Sequence, residues 1–272
     1  MKKLILLITA VILSHTFVLS QACLCGGITF TSQSQIDNFQ ANNPGCMEIG
    51  GDVTIYGSGI TNLSGFSVLT SIGGNLNIGS FENGGIPLLT SLTGLNNLTS
   101  IGGNLGIKYN DALTSLTGLD RLNSIGGYLS IGWNALTSLT GMEGLAFIEG
   151  DLEIRNNYNL TSLTGLDNVT FIGGFTFIDN NIALNSLSGL QNLTSIEGDL
   201  YIGNNYPLTT LSGMDNVTSI GGNLYIYFNG ALTSLTGLEC LTTIGSIILQ
   251  GNDALSSLTG LDNVTSITGS LW

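Results

Sequence analysis

Ten isoleucines open nearly the same phrase along this chain, at Ile49, Ile72, Ile101, Ile125, Ile148, Ile172, Ile196, Ile220, Ile244 and Ile267, evenly spaced except for one longer gap between Ile72 and Ile101. A period in the twenties marks a repeat architecture. Each unit is one coil, which cannot hide its apolar face alone and becomes stable when stacked on its neighbours.

The unit from Ile101 shows the internal pattern. Ile101, Leu105, Ile107, Leu113, Leu116, Leu119 and Leu122 precede the next start at Ile125. From Ile101 to Ile107 the apolar spacing is even, as a half-buried strand requires. The following leucines recur every third residue, a spacing that suits short extended pieces turning around a core. Gly102-Gly103 before the strand, an Asn after it and Gly118 between the leucines mark the corners. That asparagine recurs as Asn110, Asn134, Asn157, Asn181, Asn205, Asn229 and Asn252. Stacked coils align these residues as a structural ladder, because an amide that both donates and accepts satisfies the backbone groups a tight corner leaves unpaired.

Residues between the inward strand positions face solvent, and equal offsets turn them into columns. The columns collect Tyr128, Phe175, Phe177, Tyr201, Tyr225 and Tyr227, with Tyr109, Trp133 and Phe228 at the adjoining edge. Aromatic rows give large contact area at small entropic cost, so Tyr128, Trp133, Phe175, Phe177, Tyr201, Tyr225, Tyr227 and Phe228 are the candidate ligand-binding residues. The segment Phe175 to Ile178 has two registers, one with both Phe side chains outward and one, slipped by a residue, with Thr176 outward. Acids form two groups: Glu149, Asp151 and Glu153 with Glu197 and Asp199 on a strand face, and a column of Asp120, Glu143, Asp167, Asp215, Glu239 and Asp262, with Gln191 in its middle. Both are read as solvated, and no compact calcium loop is present, so no metal site is assigned.

Met1 to Ala22 reads as a signal peptide, with Lys2 and Lys3, an apolar run from Leu4 to Leu13, and small residues Ser20 and Ala22 before the cut. No later segment has the apolar length of a membrane-spanning helix. Removing Lys2, Lys3 and His15 leaves Lys108, Arg121 and Arg155 against 18 acids, a net charge of −15. This balance argues against nucleic acid as a partner. The expected mature chain contains no histidine, which excludes Ser-His-Asp and Cys-His catalysis and imidazole-dependent zinc sites. The chain is read as a non-enzyme without catalytic residues or cofactors. Cys46 is expected to pair with Cys25 or Cys23 and tether the leading segment, since an exported chain permits disulfides. Ile267 to Trp272 starts a further strand. An uncapped coil there invites edge-mediated self-association.

The phrase LTSLTGLDNVT at Leu160 to Thr170, followed by IGG and an alternating strand, resembles the receptor L-domain family in its secreted microbial type. The leading segment fits: GGITF as a strand, SQSQIDNFQANN as a short helix with a capping-box pattern at Ser32 and Gln35, and NNPGC as a turn. The resemblance implies an all-β, right-handed, leucine-rich-repeat-like β-solenoid with coils of about 24 residues, and a lateral binding surface. The expected domains are the signal peptide (1–22), a short N-terminal helical cap (23–47) and the solenoid (48–272). The expected function is a secreted or cell-surface protein that binds a protein or glycan through its aromatic sheet face. The alternative is a structural or adhesive envelope module, acting through its solenoid edge or as a fragment of a larger surface protein.

Overall fold

The computed structural model describes residues 22–272, so the expected signal peptide lies outside the described residues except for Ala22. Among the described residues two parallel sheets of ten strands each run from end to end, with strand order equal to chain order in both. One sheet uses two-residue strands, from Glu48–Ile49 to Ser266–Ile267. The other uses longer strands, from Ile28–Phe30 through Leu105–Asn110 and Leu129–Asn134 to Ile247–Gln250. Like residues pair with like across coils, as in Ile101↔Ile125, Leu105↔Leu129 and Ile107↔Ile131. Repetition in sequence thus becomes translation in space: each coil sets its apolar residues directly on those of the coil before.

The remaining side is built from turns. Leu113, Leu119 and Leu122 each donate a backbone hydrogen bond to the carbonyl three residues back, on Asn110, Leu116 and Leu119. This chain of turns explains the period of three, because every third side chain returns to the interior. All four leucines of this coil, Leu113 to Leu122, are fully buried. Leu116 donates instead to Thr140 of the next coil, joining the turn layer between coils. Gly165 lies at φ +116, and a Cβ there would run into the Leu139 carbonyl oxygen, so a side chain is excluded by both conformation and space.

Before the first full coil, short helices at Gln33–Asp37 and Phe39–Asn42 bury Ile36 and Phe39. The rings of Phe30, Phe39 and Phe66 meet edge-to-face with centroids 4.8–5.9 Å apart. Gln35 Oε1 accepts the backbone N–H of Ser32 at 3.1 Å, tying the first helix start to its own third residue. Cys23 is bonded to Cys46, whereas Cys25 is a free, exposed thiol, as is Cys240. Of the two expected partners of Cys46, Cys25 is therefore excluded. Cys23 pairs in parallel with Ile49, which sets it next to the short-strand sheet and the Cys46 turn. Among the described residues no helix is long and apolar enough to cross a membrane.

The ambiguous strand resolves with Thr176 and Ile178 inward and Phe175 and Phe177 outward, in register with Leu200, Ile202 and Tyr201. Thr176 stands where the flanking coils place Leu152 and Leu200, and its hydroxyl is buried without a hydrogen-bond partner. Thr176→Val, an isostere without the unpaired hydroxyl, is expected to stabilise the fold by about 1 kcal/mol in chemical denaturation. Gly165→Ala destabilises it by more than about 2 kcal/mol, while Gly230→Ala, where an added Cβ meets nothing within 4 Å, stays within about 0.5 kcal/mol of the parent.

Candidate functional site

The outward face of the long-strand sheet is bounded on one side by the corner asparagines. Asn110, Asn157, Asn181, Asn205 and Asn229 are completely buried, and Asn134 nearly so. Each Nδ2 donates to a strand carbonyl of the preceding coil: Asn181 to Ile154, Asn205 to Ile178, Asn229 to Ile202 and Asn252 to Ile226, at 2.9–3.0 Å. Each Oδ1 accepts the backbone N–H of the preceding ladder residue, as Asn205 does from Asn181 at 3.1 Å. The corner folds this way because the residue just before the ladder Asn is left-handed. That position holds Asn156, Asn180 and Asn204, which tolerate such angles, but also Tyr109 (φ 61), Trp133 (φ 55) and Phe228 (φ 54), which do not.

Two outward columns run across the face. Strand register aligns Gly106, Ser130, Glu153, Phe177, Tyr201 and Tyr225 in the first. The second aligns Lys108, Gly132, Arg155, Asp179, Gly203 and Tyr227. The face therefore divides into an early half, with charges and glycine hollows, and a late half, which is aromatic.

In the late half Phe177 stacks on Tyr201 at 4.4 Å, Tyr201 lies 5.4 Å from Tyr227, and Tyr225 lies 6.1 Å from Tyr227, which in turn lies 6.3 Å from Phe228. Five of the expected ligand-binding residues thus form one continuous array, with Phe177 and the three tyrosines half-buried and Phe228 exposed. Gly203 makes room for it, since a Cβ there would sit 2.6 Å from the Tyr201 ring. Asp179 accepts a hydrogen bond from Asn204 Nδ2 at 2.9 Å. Burial raises its pKa above 3.8, opposed by that hydrogen bond and by Arg155. Tyr201 is raised above 10.0, first by burial, then by the charges of Asp179 and Tyr227.

The early half gathers different groups. Tyr109 and Trp133 stack at 4.6 Å with planes 13° apart, Phe81 approaches Tyr109 at 5.8 Å, and the Arg155 guanidinium lies 4.8 Å from the Trp133 ring. Glu153 lies 3.3 Å from Lys108 Nζ and 2.8 Å from Arg155 Nε, and the Ser130 hydroxyl also bonds to it. The Arg155 Nε hydrogen is not aimed at an acceptor, so that contact is an ion pair held by charge, without a formed hydrogen bond. Phe81 and Arg155 are not evident from the sequence as ligand residues. The signal for Phe81 is the one long gap, between Ile72 and Ile101, in which it lies.

Several acids have a different role from the solvated one expected. Asp151 Oδ1 accepts the Phe175 N–H at 2.9 Å and Asp199 Oδ1 accepts the Asn223 N–H at 2.7 Å. They belong to a second ladder, at the start of the strand, with Asp52, Asn75 and Asn104. Tyr128 and Phe175 interrupt this ladder and are exposed. They stand at the rim of the face, apart from the five-ring array. The corner acids also hold backbone: Asp120, Glu143, Asp167, Asp215, Glu239 and Asp262 each accept the N–H of the glycine two residues earlier, as Gln191 does. Among the described residues no group of three or more His, Cys, Asp or Glu side chains is placed to hold a metal ion.

Residues 146–212 match the family model described as the receptor L domain. No curated protein and no solved structure gives a significant match to the chain. The matched stretch includes Phe175, Phe177 and Tyr201, and coils with the same strand register continue on both sides of it.

Asp179 makes the late half sensitive to pH. Its folded-state pKa is raised, so the native state retains the proton longer than the unfolded chain, and stability falls as pH rises from 3.8 through the folded-state value. Asp179→Asn flattens that part of the stability curve measured by denaturation across pH. The same substitution removes one of the charges that raise Tyr201, so ultraviolet titration shows this tyrosine ionising at lower pH than in the parent.

Proposed function

We propose that this chain, whose residues 146–212 match the receptor L domain model, is a non-enzymatic extracellular protein that binds a protein or glycan ligand through the outward face of its long-strand sheet. Receptor L domains are ligand-binding modules of extracellular type. The observation that carries the reading is the unbroken array Phe177–Tyr201–Tyr227–Phe228, with Tyr225 beside it, mounted on paired strands. Rings fixed by stacking lose little freedom on contact, so their area converts efficiently into affinity.

The acids support binding over catalysis. Asp151 and Asp199 hold backbone N–H groups, and Glu153 is paired with Lys108 and Arg155. Carboxylates committed in this way are badly placed to exchange protons with a glycosidic oxygen. Export is supported by the leader-like Met1 to Ala22 and by the Cys23–Cys46 bond, which belongs to an oxidising compartment.

The combined replacement Tyr201→Ser, Tyr225→Ser and Tyr227→Ser tests the assignment against arrays of glycans and of extracellular proteins. The parent is expected to capture a ligand, and the triple variant to lose it by a factor of roughly a hundred or more while keeping the parent circular-dichroism spectrum. Undiminished capture by a folded triple variant refutes the aromatic-face assignment.

A further inference from the structure

One coil departs from the repeat. Leu76 pairs with Leu105, and Leu105 with Leu129, so the coil that begins at Leu76 is longer than the one that follows it. The additional residues fall between Ile78 and Leu89. They form a small excursion in which Ser80 and Gly84 pair as an antiparallel bridge and Phe81 stands 81% exposed. Ile86 then takes the first place in the corner ladder, donating its N–H to Asn110 Oδ1 at 3.1 Å.

The excursion walls a cavity of about 370 Å³ on the early half of the outward face. Its floor is open because Gly106 lacks a side chain, and a Cβ there would meet Asn77 Oδ1 at 2.9 Å. Tyr109 and Trp133 line the cavity too, and with Phe81 against Tyr109 the three rings form one continuous wall. Tyr109 and Trp133 both hold left-handed backbone where later coils use Asn156, Asn180 and Asn204, an arrangement that costs stability in an aromatic residue and that is concentrated at functional sites. Thr54 and Asn77 also line the cavity, half-buried, with side chains unengaged by any protein group among the described residues.

We propose that this insertion-walled cleft is a saccharide subsite, taking a neutral sugar unit against the contiguous Phe81, Tyr109 and Trp133 rings and reading its hydroxyls with Asn77 and Thr54. The proposal deepens the reading of the outward face as a ligand surface and rests on it. Three observations select the ligand class. The cations at the cleft are already matched, because Lys108 and Arg155 share Glu153 and a second acid, Glu82, lines the cavity, so two positive and two negative charges cancel and an anion gains little there. The strands beneath are paired on both sides, so a peptide finds no backbone edge to extend. What remains is a compact hollow at the small end of ligand sites, with ring walls and neutral groups that donate and accept, which matches a polyhydroxylated ring with one apolar face.

Trp133 reports on the site directly. The chain has two tryptophans, so Trp272→Phe leaves Trp133 as the sole indole. In that background, Trp133 emission is titrated with neutral tetrasaccharides of glucose, mannose, xylose and N-acetylglucosamine, and with tetragalacturonate as the anionic arm. A saturable change with at least one neutral sugar is expected, weakened roughly three- to tenfold by Phe81→Ala or Asn77→Ala. Phe81 is exposed and contributes no core packing, so the variant is expected to keep the parent circular-dichroism spectrum. Adding the triple tyrosine replacement leaves the Trp133 response unchanged, which separates this site from the late-half array. Absence of a saturable change with every neutral sugar, response to tetragalacturonate alone, indifference to Phe81→Ala, or loss of response in the triple tyrosine variant would each overturn the assignment.

Discussion

The corner asparagine is the contact on which the rest of the molecule depends. At this point each coil must reverse direction, and the reversal leaves a strand carbonyl and a backbone N–H unpaired in the interior. One buried amide answers both, as Asn181 does by donating to Ile154 of the coil before and accepting from the N–H of Asn157, the ladder residue behind it. In a low-dielectric interior an unmet group of this kind costs about 1–3 kcal/mol. The amide therefore fixes both the place of the corner and the register of the next coil. With the register fixed, isoleucine falls on isoleucine and the outward positions align into columns without further instruction.

That alignment has a functional consequence. In a solenoid the outward columns lie outside the buried apolar stack, so their composition is free to vary from coil to coil. Here it varies in an ordered way, from Gly106, Ser130 and Glu153 to Phe177, Tyr201 and Tyr225. The position just before the ladder asparagine shows the same freedom. Asn180 and Asn204 follow the conformational demand of the corner, while Tyr109, Trp133 and Phe228 oppose it. Aromatic residues in a left-handed corner lower stability in both halves of the face, and in both they extend a cluster of rings.

The coil arrangement was legible because it depends on spacing alone. The even positions of Ile101, Leu105 and Ile107 and the triplet spacing of Leu113 to Leu122 are each sufficient to place a residue inside. Polar side chains are harder to place, because composition does not reveal what an acid touches. Asp151 and Glu149 look alike in sequence, yet Asp151 occupies the rung that Asn104 fills two coils earlier, and only the folded chain shows the N–H whose hydrogen bond it accepts. Cys23 and Cys25 are near neighbours in the chain, and the choice between them as partner of Cys46 rests on the parallel pairing of Cys23 with Ile49, a contact no spacing rule contains. The insertion was visible as an irregular gap, but its meaning required Phe81 to be seen against Tyr109.

Charge distribution sharpens the contrast between the two halves. Acids exceed bases by 13 over the full chain, yet two of the three basic residues beyond the leader-like segment, Lys108 and Arg155, lie on the early half of one face. A lone Glu153 on a surface of this sign would repel its neighbours. Paired with two cations it is more than neutralised, and Arg155 uses its remaining surface to cover the Trp133 ring. The ion network thus supports the ring wall and offsets, at the cleft, the negative field of the chain as a whole. In the late half Asp179 is half-buried, its pKa raised by burial, and its carboxylate is held by Asn204 and drawn to Arg155. A strongly acidic chain therefore gathers two of its few cations at the early half of one face, where shape, stacking and neutral hydrogen bonds decide what is held.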